Sequence, residues 1–134
     1  MSFDQVRLDD LATRYTDAWN SKIPENVAAF HVSSSRISIN RGEAYVGHDA
    51  LMAMAADFHA DVPDLVLRND GIRSAGNHVV FLWTFTGHDS QSGNPLKISG
   101  WEEWELDENM KVTSAFGWFD ADDYQGQVDG TKAK

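Results

Sequence analysis

Glu102 is the carboxylate best placed for chemistry, because of the residues on either side of it. Lys97 to Leu106 alternates as KISGWEEWEL. In an extended strand, side chains two apart share a face. Ile98, Gly100, Glu102, Trp104 and Leu106 therefore lie together, opposed by Lys97, Ser99, Trp101, Glu103 and Glu105. The first set is the more apolar and is predicted to face inward. An ionised carboxyl among aromatic rings is costly to desolvate. It must find a partner, line a wet cavity or hold its proton. In its neutral form it can donate to a ligand carbonyl.

The elements that would position Glu102 are strands. Val79–Thr86 is rich in β-branched and aromatic residues, a strand composition. Ser90–Pro95 is turn chemistry, and Asp107–Asn109 turns the chain again into Lys111–Phe119. Phe81, Trp83 and Phe85 extend the inward face; Val80, Leu82, Thr84, Thr86 and His88 oppose them. The stretch Val79–Tyr124 holds four of the five Trp. So many rings in one small domain read as the walls of a roomy apolar pocket.

Helical patterns precede the strands. Leu8, Leu11, Ala12, Tyr15, Ala18 and Trp19 recur on one helical face. Ser2 and Gln5 have capping-box spacing, and Asp9 or Asp10 are alternative caps. Pro24 suits the first turn of a short second helix that buries Val27, Ala28 and Phe30. Arg36–Asn40 and Ala44–Val46 read as short strands. A third helix follows, with Asp49 as cap and Leu51, Met52, Ala55 and Phe58 as its stripe. Leu65–Ser74 reads as a strand bulged at Asn69-Asp70-Gly71, turning through Ala75–His78. The class is α+β, with three helices on the concave face of a curved, cone-shaped antiparallel sheet. One domain is expected over 1–128, with a polar tail over 129–134.

Composition removes several functions. The chain has 134 residues, no Cys, and 21 acidic against 11 basic residues, a net charge of −10. A basic footprint for nucleic acid is absent, as is one for an anionic membrane. No thiolate nucleophile or Cys-built metal site exists. The five His show no HxH or HExxH spacing, so no metal is expected. No apolar run reaches the ~18–20 residues of a membrane span, and MSFDQVRLDD lacks a signal core. The expected location is the cytoplasm. Val80, Leu82, Thr84, Thr86 and Trp101 leave the outer sheet face apolar, and a homodimer through it is expected.

The order helix-helix-strand-turn-strand-helix and then four long strands resembles the nuclear-transport-factor-2-like superfamily over nearly the whole chain. RYTDAWNSK and ENVAAF are similar to the first two helices of ketosteroid isomerases, and AYVGHDAL to the entrance of their third helix. WTFTGHDSQSGNPLKISGWEEWELDENMKV with FDADDYQGQ resembles the SnoaL-like polyketide cyclase branch. The resemblance implies a pocket inside the cone and no cofactor. Ketosteroid isomerases place there a Tyr and a protonated acid as donors and an Asp as base. By position Tyr15 matches the Tyr and Glu102 the protonated acid. The base position falls near Ser38–Asn40, which holds no carboxylate, so steroid isomerisation is disfavoured. Cyclase-like relatives use an Asp at the end of the last strand, and Asp120 matches it. The Arg-x-Asp pair of the epoxide-hydrolase branch has no counterpart at Glu102-Glu103-Trp104. Asp120 reads equally as a cap where the chain leaves through Ala121-Asp122-Asp123. The expected ligand contacts are Asn40, Phe58, Trp83, Phe85, His88, Trp104 and Trp118.

Two functions follow. One is a cofactor-independent acid–base enzyme of cyclase, isomerase or dehydratase type on a small, mostly apolar carbonyl compound, with Asp120, Tyr15 and Glu102 as catalytic groups. The other is a non-catalytic small-ligand-binding module of the same fold. Convergence of two ionisable groups inside the cavity separates them.

Overall fold

Periodicity sorts the chain as its pattern dictates. In the computed structural model, which describes residues 3–131, helices α1 (Gln5–Asn20) and α2 (Pro24–Ala28) come first. Strands β1 (Arg36–Ile39) and β2 (Tyr45–Val46) and helix α3 (His48–Asp61) follow. Then come β3 (Val66–Ala75), β4 (His78–His88), β5 (Pro95–Leu106), β6 (Val112–Phe119) and α4 (Ala121–Asp129). Among the described residues no helix is long and apolar enough to cross a membrane.

The six strands form one sheet in the order β2-β1-β6-β5-β4-β3. Neighbours are antiparallel except β1 and β6, which run parallel. The α+β class is as expected, with that one parallel pair added. The bulge lies between Asn69 and Gly71. The face carrying Phe81, Trp83, Phe85, Ile98 and Trp104 is buried with Leu8, Leu11 and Tyr15 of α1, as the alternation predicts.

Some local expectations change. The α1 cap is Asp4, whose side chain accepts the Arg7 N–H at 2.8 Å. Asp9 and Asp10 lie inside the helix, and Ser2 lies outside the described residues. Gly47, at φ +87, precedes α3 in place of an Asp49 cap, a backbone that favours glycine. The buried stripe of α3 is Leu51, Met54 and Ala55, while Met52 and Phe58 are half-buried.

A fourth helix, α4, follows β6 where three helices were expected; it lies within the expected domain and reaches the expected tail only at Asp129. ADDYQGQVD is a poor helix former, with three Asp and a Gly. Its ends are well capped: Asp120 accepts the Asp123 N–H at 3.0 Å, and Gly130 closes the helix in the left-handed conformation. Gln127 docks it on β5. The Gln127 amide accepts the Lys97 N–H at 2.7 Å and donates to the Lys97 carbonyl at 3.0 Å. This replaces the β6 ladder, whose pairing with β5 ends at Gly100. On the far side of the sheet the Asn20 amide serves both backbone groups of Leu67 in the same way. Each amide satisfies peptide groups that would otherwise lose both water and ladder.

Candidate functional site

Glu102 lies mid-β5, paired across β6 with Gly117 and across β4 with Phe81. It is buried, 8% exposed. Alternation points it inward, and α1 brings Tyr15 to it. The Tyr15 hydroxyl donates to Glu102 Oε1 at 2.8 Å, and the Trp104 indole N–H donates to the same oxygen at 2.9 Å. Among the described residues Oε2 receives no hydrogen bond. Tyr15 packs edge-on against Phe81 and Trp104, with centroids 5.5 and 4.8 Å away, and those two rings stack at 5.4 Å. The carboxyl is therefore fixed in rotation, with one oxygen committed and the other not.

Burial raises the Glu102 pKa, and the Trp104 and Tyr15 hydrogen bonds partly oppose it. Burial, and then the Glu102 charge, hold the Tyr15 phenol well above its ordinary range. The Trp19 indole lies near the phenol and pulls the other way, although its N–H does not reach hydrogen-bonding geometry. When Glu102 is neutral, its proton belongs on Oε2, because Oε1 already accepts two hydrogen bonds.

Beside Glu102 is a cavity of about 50 Å³. Trp19 of α1, Phe58 of α3 and Trp83, Phe85 and Phe119 of the sheet wall it, and among the described residues Glu102 is the one ionisable group lining it. The rings interdigitate rather than enclose: Trp83 stacks on Phe85 at 6.0 Å and meets Phe119 at 6.4 Å. The space between the rings is smaller than the roomy pocket expected from ring count. Tyr124 of α4 lies over this end, 6.1 Å from Phe85 and 5.7 Å from Phe119. Burial, with the charges of Asp61 and Asp89, pushes its phenol up to about 12.

The expected contacts Phe58, Trp83, Phe85 and Trp118 border the cavity. The Trp118 ring itself stacks on Trp101 and Phe116, which are exposed on the opposite face. Trp104 and Tyr15 lie behind Glu102 and hold it, instead of lining the space.

Three more of the expected residues lie outside the cavity lining. Asn40, at φ +51, accepts the Phe119 N–H at 2.9 Å and gives its own N–H to Gly117, so it clamps β6. His88 is exposed and pairs with Asp64 at 2.6 Å, which lowers the Asp64 pKa through hydrogen bonds. Asp120 is exposed, caps α4 and does not line the cavity.

Sequence reasoning missed Trp19, Met54, Ile37, Ile39, Phe119 and Gly117 as lining residues. Trp19 carried a signal, as a ring on the α1 face already read as inward; the others did not.

A family model for the SnoaL-like domain matches residues 12–115. The chain belongs to the SnoaL-like domain family. No curated protein matches the sequence. Solved structures share the fold at low identity. A candidate SnoaL-like polyketide cyclase from a Jannaschia species superposes with a TM-score of 0.83 at 14% identity, covering 100% of this chain and 98% of that one. A hypothetical protein with a ketosteroid isomerase-like fold from Catenulispora acidiphila, in complex with trimethylamine, gives 0.80 at 15% identity, covering 87% and 90%. TerC, co-crystallised with polyporic acid, gives 0.75 at 14%, covering 87% and 94%.

Proposed function

We propose that this SnoaL-like chain is a cofactor-independent acid–base enzyme, of cyclase, isomerase or dehydratase type, acting on a small carbonyl compound. Glu102 is the group that carries the proton; Tyr15 and Trp104 are positioning residues. The observation that carries this reading is the convergence of Tyr15 and Trp104 on Oε1, which leaves Oε2 for the cavity; the second ionisable group, the Tyr15 phenol, meets Glu102 from behind and not inside the cavity, so the reading rests on one carboxyl. Burial raises the carboxyl's pKa, which makes it a stronger base than an exposed Glu and brings it nearer the operating pH of a general base. Oε2 takes a proton from the carbon next to the carbonyl. The C–H electron pair passes into the enolate, and the proton held on Oε2 returns to that carbon or to a conjugated one. Neutral Glu102 meanwhile donates to the bound intermediate, as in other sites where a carboxylic acid is kept uncharged by its surroundings. Asp120 has no part in this step.

The test is α-proton exchange of short ketones, acetone first, in D2O by proton NMR. Acceleration by the protein that is lost in Glu102→Gln supports the reading. Equal exchange by protein and Glu102→Gln overturns it. No acceleration across the ketone series leaves the non-catalytic binding module in its place.

We propose also that the outer sheet face pairs with a second copy of the chain. Leu82 and Trp101 face each other across β4 and β5, and Trp101 and Trp118 across β5 and β6. Thr84, expected on that apolar face, is buried, with its hydroxyl bonded to Asp70 and Ser99.

A further inference from the structure

The cavity beside Glu102 is small, and the carboxyl oxygen open to it is Glu102 Oε2. By the usual measure a water needs ~10–15 Å³, so about 50 Å³ holds only a few non-hydrogen atoms. Drug-sized ligands take roughly 300–1,000 Å³. Trp19, Trp83 and Trp118 border the cavity, and their buried indole N–H groups have no acceptor among the described residues; the Trp118 ring stacks on the outer face, which leaves Trp19 and Trp83 on the cavity side. Buried donors left unpaired are uncommon and call for an explanation. Both nitrogens are themselves buried, so only a guest small enough to lodge between the rings reaches them. Among the described lining residues the carboxyl of Glu102 is the acceptor nearest to hand; its Oε1 is taken by Tyr15 and Trp104, and its Oε2 receives no hydrogen bond from either indole.

The size of the space has a local cause. Gly117 faces Glu102 across the β5–β6 pair. A methyl group at Gly117 would lie 2.9 Å from Ile39 Cδ1 and 3.9 Å from Glu102 Cγ. It would enter the space next to the carboxyl.

The geometry points to a compact, neutral ligand with a single hydrogen-bond acceptor, held by the indole N–H groups of Trp19 and Trp83, with Gly117 setting the size limit. This rests on the reading of the Glu102 cavity as the ligand site, and it narrows the substrate to short carbonyl compounds rather than fused ring systems. A carbonyl oxygen meets the N–H groups and, when Glu102 is neutral, the Oε2–H. A small ammonium ion offers the indole N–H groups no acceptor and can pair only with an ionised Glu102.

The experiment titrates three probes into labelled protein and follows the indole N–H signals by NMR. The probes are acetone, trimethylammonium of similar size without an acceptor, and indanone, the same carbonyl on a larger frame. Acetone is expected to shift the Trp19 and Trp83 signals saturably, and the other two to leave them in place. Gly117→Ala should weaken acetone by about tenfold or more, the effect of one methylene-sized change in a tight site. Phe58→Ala should admit indanone, and this arm decides if Gly117→Ala does not fold. Trimethylammonium or indanone binding the native protein as tightly as acetone overturns the inference, as does unchanged affinity in a folded Gly117→Ala. Glu102→Gln keeps a donor and should still bind acetone. Acetone bound without α-exchange sinks the enzyme reading alone; exchange with the probe order reversed sinks this inference alone.

Discussion

Tyr15 on α1 and Glu102 on β5, 87 positions apart, are joined by a buried hydrogen bond of 2.8 Å. It ties the first helix to the middle of the sheet and fixes which carboxyl oxygen faces the cavity. Tyr15→Phe keeps the ring contacts and deletes the bond. One lowering influence on the Glu102 pKa is then gone, so the carboxyl should titrate higher than in the native protein. Loss of a partner for a buried group costs about 1–3 kcal/mol. Carbon-detected NMR titration of the Glu102 carboxyl and chemical denaturation measure the two effects. An unchanged or lowered Glu102 titration would show that the phenol does not hold the carboxyl.

Asp120 carries a sharp prediction through its change of role. Asn is as good an N-cap as Asp, whereas Ala is not. Asp120→Asn should leave stability and any turnover unchanged. Asp120→Ala should lose about 1 kcal/mol, concentrated in faster amide exchange over α4. A drop in turnover of about 100-fold or more in Asp120→Asn, the scale of general acid–base help, would restore Asp120 as a catalytic group.

The inward face of β4 and β5 was legible because strand alternation is strict: one register assigns Phe81, Trp83, Phe85, Glu102 and Trp104 together. The Tyr15 face of α1 was legible from its helical repeat. Volume was not. The rings of Trp83, Phe85 and Phe119 are visible in composition, but whether they enclose space or fill it depends on how they interdigitate. Helix α4 was hidden by weak propensity, since its stability comes from the Asp120 and Gly130 caps and the docking of Gln127. Asn40 and His88 have the right types for a ligand site, but their hydrogen bonds go to the Phe119 backbone and to Asp64.

His31 gives the clearest pH dependence. It is 3% exposed, its Nδ1 is 2.9 Å from Ser35 Oγ, and His48 contacts its carbonyl oxygen. Burial, and then the nearby His48, lower its pKa from 6.5 to about 4. The unfolded chain therefore takes up a proton near pH 6.5 that the native state refuses until about pH 4. The stability conferred by neutral His31 is complete above pH 6.5 and is lost as pH falls toward 4. The shift corresponds to about 3 kcal/mol. Glu102, with a raised pKa, acts in the opposite sense: stability falls as pH rises above its ordinary value of 4.5. The comparison is therefore between the native protein and His31→Asn. Urea denaturation at pH 7.5 and pH 5 should show a steeper loss in the native protein. Parallel losses would assign the acid sensitivity elsewhere.

The proposed dimer rests on a ladder of rings across the outer sheet face. Trp101 and Trp118 stack at 6.3 Å, Trp118 and Phe116 at 6.4 Å, and Arg41 lies 5.7 Å over the Trp118 ring. Leu82 and Trp101 remain 41% exposed and Phe116 47%. Contiguous apolar surface of this kind marks an interaction face, while single exposed apolar residues do not. Glu103 and Glu105 flank His78 beside this face. Analytical ultracentrifugation at micromolar concentration should give a dimer. Trp101→Glu places a charge at the centre of the face without touching the inner core, and should yield a folded monomer with unchanged circular dichroism. A native monomer, or a Trp101→Glu protein that remains dimeric, would remove the outer face from the assembly.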